Sequence, residues 1–314
     1  MNQTGIPGPR SMTRGLPWLA AGVTVGTVPY VVLKISWLVG GGVGLRDPAL
    51  MQTTTYVVAN SITVVLDLVV VALAWVLALA PPRRLLVVLA PLVWGATGLM
   101  VTPVLSAAVI AVAGDPSTER LAGDALYAWV YAVVYVGFAI QGVGIVTLFG
   151  VQVVRAWPWL FARRSARISP ILVGGASAGA LTGLGFLLLA SGVERVLFGP
   201  AVSADAERGS WVVTGLLCLA GALGSVAAVR SFGLFAIACA WLGTGAMVCW
   251  SGFNLLVAAV DAAVAESTPL PLTALTGLSG VVLVAGLAMA LQAMSQEHRL
   301  TRLDVEKHPI TRLD

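Results

Sequence analysis

The chain has 314 residues, of which 58% are hydrophobic and 10% charged, and its mean hydropathy is +0.94. A water-soluble domain carries about a quarter charged residues, so this composition excludes an ordinary soluble protein. The net charge is +4, but no basic patch interleaved with aromatics accompanies it, which argues against a nucleic-acid partner.

A helix that crosses a bilayer needs about 20 mostly apolar residues at 1.5 Å rise each. After a short polar segment at 1–15, the first such run covers 16–40 and holds one full charge, Lys34. It is too long for a cleaved signal peptide and lacks a small-residue cleavage site. Seven further runs follow near 54–80, 85–113, 127–154, 169–192, 210–229, 232–260 and 270–294, with a polar tail from 295 to 314. PPRR at 81–84, GDPSTER at 114–120, RAWPWLFARRSAR at 155–167 and ESTPLP at 266–271 punctuate them. The expected fold class is therefore all-α, a polytopic bundle of eight transmembrane helices. It divides into a first four-helix half at 16–160 and a second at 161–294.

Charge orients the spans. With the N-terminus inside, 13 of the 18 basic residues fall on cytoplasmic segments, among them Arg83, Arg84, Arg155, Arg163, Arg164 and Arg230. Only Arg46, Arg120, Arg195 and Arg208 fall outside, and Lys34 lies within the membrane. This bias predicts a multi-pass protein of the plasma membrane with both termini cytoplasmic. The acidic residues lean outward, as at Asp115, Glu119, Asp205 and Glu266.

The two halves share short matches. WGATGLMV at 94–101 resembles WLGTGAMV at 241–248, PWLAAGVTVG at 17–26 resembles PILVGGASAG at 170–179, and YVVA at 56–59 resembles WVVT at 211–214. Four crossings per half keep the copies in one orientation, a parallel repeat about an axis along the membrane normal. Shared Gly, Ala and Val composition is the competing explanation. The second half has leucine or alanine where the first places its two intramembrane charges, Lys34 and Asp67.

An ionisable group at membrane depth costs about 2.5–3.5 kcal/mol on insertion scales, so two on neighbouring spans point to mutual compensation. Counted from the outer boundary, Lys34 lies about 9 Å deep and Asp67 about 20 Å deep. Side chains lean toward their helix N-terminus. Lys34 therefore leans inward and Asp67 outward, and a lysine stem of about 6 Å closes most of the gap.

Gly22, Gly26, Tyr30, Lys34 and Trp37 share one face of the first span, and Tyr56, Asn60, Thr63 and Asp67 share one face of the second. Pro29 removes an amide donor below Lys34, and Gly22 and Gly26 are expected to admit a neighbouring helix. Tyr127, Tyr131 and Tyr135 stripe the fourth span, with Gln141 off that stripe. Candidate site residues are thus Tyr30, Lys34, Trp37, Asn60, Asp67 and Gln141, lining a small polar cavity open to the outer face. Lys34 and Asp67 are the candidates for any chemistry. The alternative has Lys34 snorkelling to the interface and Asp67 acting as hydrogen-bonded glue between helices.

Other chemistries lack their residues. His298 and His308 both lie in the tail, so no span can ligate haem or a histidine-held metal, and no cofactor is expected. Cys218, Cys239 and Cys249 lie within spans six and seven, which argues against a disulfide framework. The serine of GASAGA at 175–180 has no intramembrane histidine to activate it. GGGVG at 40–44 reads as an outer turn, and the tail, which repeats TRLD, as solvated and weakly ordered.

PYVVLKISWLVGGGVGLRDPAL, WGATGLMVTPVL and YAVVYVGFAIQGVG together resemble a family of uncharacterised multi-pass membrane proteins from high-GC bacteria. The resemblance covers the first four spans. It implies that Lys34 and Gln141 lie in recurring motifs (PYxxLKxxW and FAxQG) and implies no activity. Three functions fit the residues. The first is a transporter or permease for a small molecule or peptide, with Lys34 and Asp67 as a substrate or proton site near mid-membrane. The second is a non-catalytic subunit or scaffold docking a membrane-protein partner within the bilayer. The third is a cofactor-independent acid–base enzyme, isomerase-like, in which the pair moves a proton.

Overall fold

Residues 15–49, 53–113, 126–158, 168–191, 208–231, 233–260 and 269–307 are described in the computed structural model. The connecting motifs GDPSTER and RAWPWLFARRSAR beyond Pro158, and the final TRLD, lie outside them. Nine α-helices and one π-helical turn build the described bundle: α1 (Leu16–Leu38), α2 (Thr54–Ala78), α3 (Arg83–Ala113), α4 (Ala128–Ala156), α5 (Pro170–Ser191), α6 (Arg208–Ser231), α7 (Leu234–Gly245), the π turn (Ala246–Trp250), α8 (Ser251–Val260) and α9 (Leu270–Lys307). The π turn joins α7 and α8 into one crossing, so eight spans are long and apolar enough to cross a membrane. The chain is a multi-pass membrane protein.

Valine-rich runs such as VVLDLVVVALAWV would favour strands in water. In lipid, every backbone N–H and C=O must be satisfied within the segment, and a single helix does this alone. Hydroxyls in the spans follow the same logic. Thr24, Thr27, Ser61, Ser225, Thr276 and Ser279 each donate to the carbonyl four residues back. α1 continues through Pro29 and α3 through Pro91 and Pro103. It ends where Gly40 takes a φ of +89°, a conformation that suits glycine.

In the first half α1 packs on α2 and α4, and α3 on α4. In the second half α5 packs on α6 and α9, and α6 on α7. The larger apolar core lies in the first half, joining Ala20, Val23, Val70, Ala74, Leu77, Val93, Ile145 and Leu148. Gln152 ties α4 to α2 by donating to the Leu77 carbonyl at 2.7 Å.

The halves meet chiefly through α3, which packs on α6, α7 and the π turn. Trp94 Nε1 donates to Thr244 Oγ1 at 3.2 Å, and Trp241 Nε1 donates to Thr97 Oγ1 at 3.1 Å. Gly98 and Gly245 face each other so closely that a Cβ on Gly98 would collide with the Gly245 carbonyl. These are residues that the sequence match pairs, and they exchange equivalent bonds.

The bundle differs from the sequence reading in three places. Gly26 does accept a neighbour, Ile140 of α4, but Gly22 has nothing within 4 Å among the described residues, so only one of the two serves close packing there. The seventh span carries a π turn that its apolar run does not announce. And α9 runs as one helix of 38 residues, so the first part of the tail, through Lys307, continues the last span as helix.

Candidate functional site

Lys34 and Asp67 meet. Lys34 Nζ lies 2.9 Å from Asp67 Oδ2, with side-chain exposures of 0% and 4%. Asp67 is the fourteenth of the 25 residues of α2, so the carboxylate sits midway through its span. Lys34 is one turn from the end of α1, and the opposed tilt of the two side chains closes the distance as their helix directions require. The snorkelling alternative does not describe this lysine.

Two more spokes complete the site. The Lys34 ammonium sits over the Tyr30 ring, 3.7 Å from its centroid, and the ring is held edge-on by Phe138 of α4 at 5.4 Å. A desolvated cation–π contact of this kind contributes about 2 kcal/mol. Gln141 of α4 is completely buried. Its Nε2 donates to Thr27 Oγ1 at 2.9 Å and to Asp67 Oδ1 at 3.3 Å. Thr27 in turn donates to the Val23 carbonyl at 2.7 Å.

These bonds fix the directions of the hydrogens. The Thr27 hydroxyl spends its proton on Val23, so it must accept from Gln141, and that orients the amide. Gln141 Oε1 is left as a buried acceptor without a partner, a deficit of about 1–3 kcal/mol. The chain Lys34–Asp67–Gln141–Thr27 thus links α1, α2 and α4, and one of its atoms remains unsatisfied.

Toward the Arg46 end the site is closed. Leu33, Trp37, Leu45 and Val130 form a compact apolar cluster one turn beyond Lys34. The loop after α1 folds back over it, with Tyr127 N–H donating to the Gly44 carbonyl at 3.0 Å. Gly44 has a φ of +76°, and a Cβ there would strike Val130 and Trp129. Trp37 serves this plug: its Nε1 donates to the Val43 carbonyl at 2.7 Å. The outward-opening cavity expected from the stripes is therefore filled, because the loop supplies apolar side chains that the helical faces alone do not reveal.

Of the six candidates, the structure brings Tyr30, Lys34, Asp67 and Gln141 together. It assigns Trp37 to the plug and leaves Asn60 half-buried, two turns along α2 from Asp67. Tyr131 and Tyr135 stack at 6.3 Å, and Tyr127 lies under Arg46 at 5.3 Å. Thr27 is the residue that sequence reasoning passed over. Seven residues before Lys34, it lies on the same face of α1, and that spacing was the available signal.

Among the described residues no cluster of three or more His, Cys, Asp or Glu side chains could hold a metal. The three cysteines are free thiols. No protein-family model, curated protein or solved structure matches the chain. Fold and site together define an eight-span membrane protein with a buried ion pair at the centre of its N-terminal bundle.

Proposed function

We propose that this is a transporter- or permease-like protein of the bacterial inner membrane, with both termini cytoplasmic, which moves a small-molecule or peptide substrate by means of a polar intramembrane site built around Lys34 and Asp67. The observation that carries the reading is the buried pair itself. Replacing a buried ion pair by apolar residues is often neutral or stabilising, and a charge at membrane depth marks a substrate or ion pathway by default. Here the pair is further supplied with Gln141, Thr27 and Tyr30, more apparatus than a helix clasp needs. The orientation rests on Arg83, Arg84, Arg155 and Arg230, which share one end of the bundle.

Duplication of a four-span half would fit the same class. The reciprocal Trp94–Thr244 and Trp241–Thr97 bonds favour that relation over chance likeness. One feature favours a subunit or scaffold as the second reading: the pair is closed off and bonded to its neighbours, as a clasp among α1, α2 and α4 would be.

The test is reconstitution of the full chain into proteoliposomes, followed by a screen of radiolabelled small solutes and short peptides for accumulation. Wild type is expected to accumulate at least one class, and Lys34→Met, Asp67→Asn and the double variant to lose it while still folding. Folded wild type that accumulates nothing, yet co-purifies in fixed ratio with another membrane protein, would favour the scaffold.

A further inference from the structure

Both oxygens of the Asp67 carboxylate face donors, Lys34 Nζ at Oδ2 and Gln141 Nε2 at Oδ1. A proton added on the side of Oδ1 that faces Gln141 would meet an amide hydrogen. Lys34 as an ammonium has no lone pair to offer. Gln141 does: a half-turn of its terminal amide exchanges Oε1 and Nε2. That places an acceptor where Nε2 now stands, 3.3 Å from Asp67 Oδ1 and 2.9 Å from Thr27 Oγ1. The Thr27 hydroxyl can then turn from Val23 to that oxygen. The position left unpartnered, now Gln141 Oε1, would hold Nε2 after reversal, so the turn exchanges an orphan acceptor for an orphan donor.

We infer that the ligand of this site is a proton carried on Asp67 Oδ1, and that Gln141 is the positioning residue that admits it by reversing its amide. The inference deepens the transport reading above and rests on it. Size supports it: Lys34 and Gln141 have no exposed surface and Asp67 has 3%, so a proton can be added without parting the helices, whereas an organic solute cannot.

The balance is simple. One proton arrives from water on Asp67 Oδ1, the Lys34–Asp67 charge pairing ends, and the site passes from neutral to a single positive charge on Lys34. That charge keeps the face of Tyr30 and the Asp67 Oδ2 oxygen, which as the carbonyl of a neutral acid still accepts from it at 2.9 Å. The groups facing Asp67 are Lys34 and Tyr30 from α1 and Gln141 from α4, with Tyr135 of α4 beyond Tyr30. Between the helix ends, α2, α3 and α4 contribute no charged residue besides Asp67 itself.

The experiment is infrared difference spectroscopy of the full chain in lipid, acidic minus alkaline buffer. Vesicles with an entrapped pH-sensitive dye are run in parallel under an imposed proton gradient. A protonated-carboxyl band is expected in wild type and should vanish in Asp67→Asn. In Gln141→Leu, which leaves the ion pair in place, the band should be lost or shifted to that of a carboxyl without a hydrogen-bond acceptor, and the accompanying side-chain amide signal should disappear. Should Asp67→Asn fail to fold, the Lys34→Met/Asp67→Asn double variant is the control. Absence of an Asp67 band at every pH where the protein stays folded overturns the inference, as does a band unchanged in Gln141→Leu. A band that behaves as expected in vesicles whose dye shows no Asp67-dependent proton movement upholds the proton site and rules out proton passage without a solute, and the transport reading then stands or falls on the solute-accumulation screen.

Discussion

At the scale of the residue, the site is a balance of terms that only pairing keeps small. Removing one partner of a buried ion pair leaves an uncompensated charge and typically costs about 3–5 kcal/mol. Lys34→Met alone and Asp67→Asn alone are therefore expected to lower thermal stability in detergent, with Lys34→Met the more severe because the stranded carboxylate keeps only the Gln141 amide, whereas the ammonium stranded by Asp67→Asn keeps the Tyr30 face. The double variant should recover most of the loss, and a double-mutant cycle checks this. Tyr30 separates ring from hydroxyl. The Lys34 ammonium lies over the ring face, so Tyr30→Phe should melt within about 0.5 kcal/mol of wild type, while Tyr30→Leu should lose about 1–2 kcal/mol.

The Lys34–Asp67 pair was legible from two helix directions and the tilt of side chains, because both follow from the alternation of spans. Thr27 was legible in principle by spacing. Its role stayed hidden because a threonine in a span ordinarily bonds its own backbone, and Thr27 does that as well. Gln141 sits off the tyrosine stripe, and its meeting with Asp67 depends on how α4 is rotated against α1 and α2. A single helix does not encode that rotation.

At the scale of the element, close approach is decided by glycine. A Cβ on Gly98 would overlap backbone of Gly245, and backbone cannot swing aside. Gly98→Ala should therefore destabilise by about 1–3 kcal/mol. Gly22 has open space around it, and Gly22→Ala should be neutral or gain up to about 1 kcal/mol from helix propensity. Both are read from melts of the purified chain.

The same seam offers a chemical probe. A Cβ at position 95 would lie 3.8 Å from Cys249 Sγ, within reach of a bridge after small adjustment. Gly95→Cys is expected to cross-link to Cys249 under mild oxidant. After a tryptic cut between the halves, the fragments should stay joined until reductant is added. Gly95→Cys/Cys249→Ala should show no cross-link.

At the scale of the whole molecule, the arginine-rich end defines the orientation to be tested. A cysteine introduced at Gly42, in the loop after α1, should react with a membrane-impermeant thiol reagent in intact cells. One introduced at Pro82, between α2 and α3, should react only after permeabilisation. The reverse pattern would invert the proposed topology. The molecule is asymmetric in its chemistry, with the charged pair in the first half and the two halves joined by reciprocal Trp-to-Thr bonds.

The amino-acid sequence alone determined the solvent, the number of spans and their alternation, since each depends on apolar length and on where arginines interrupt it. Both are properties of the chain read one segment at a time. It also placed a cation and an anion on neighbouring spans, with side chains that lean toward each other. Only the tertiary structure decided which polar groups close around them and that the Arg46 end is plugged by Trp37 and Leu45. It alone decided that Gln141 is left with a free oxygen. Those outcomes turn on helix rotation and on a loop folding back over the bundle, and both are set by packing among distant side chains.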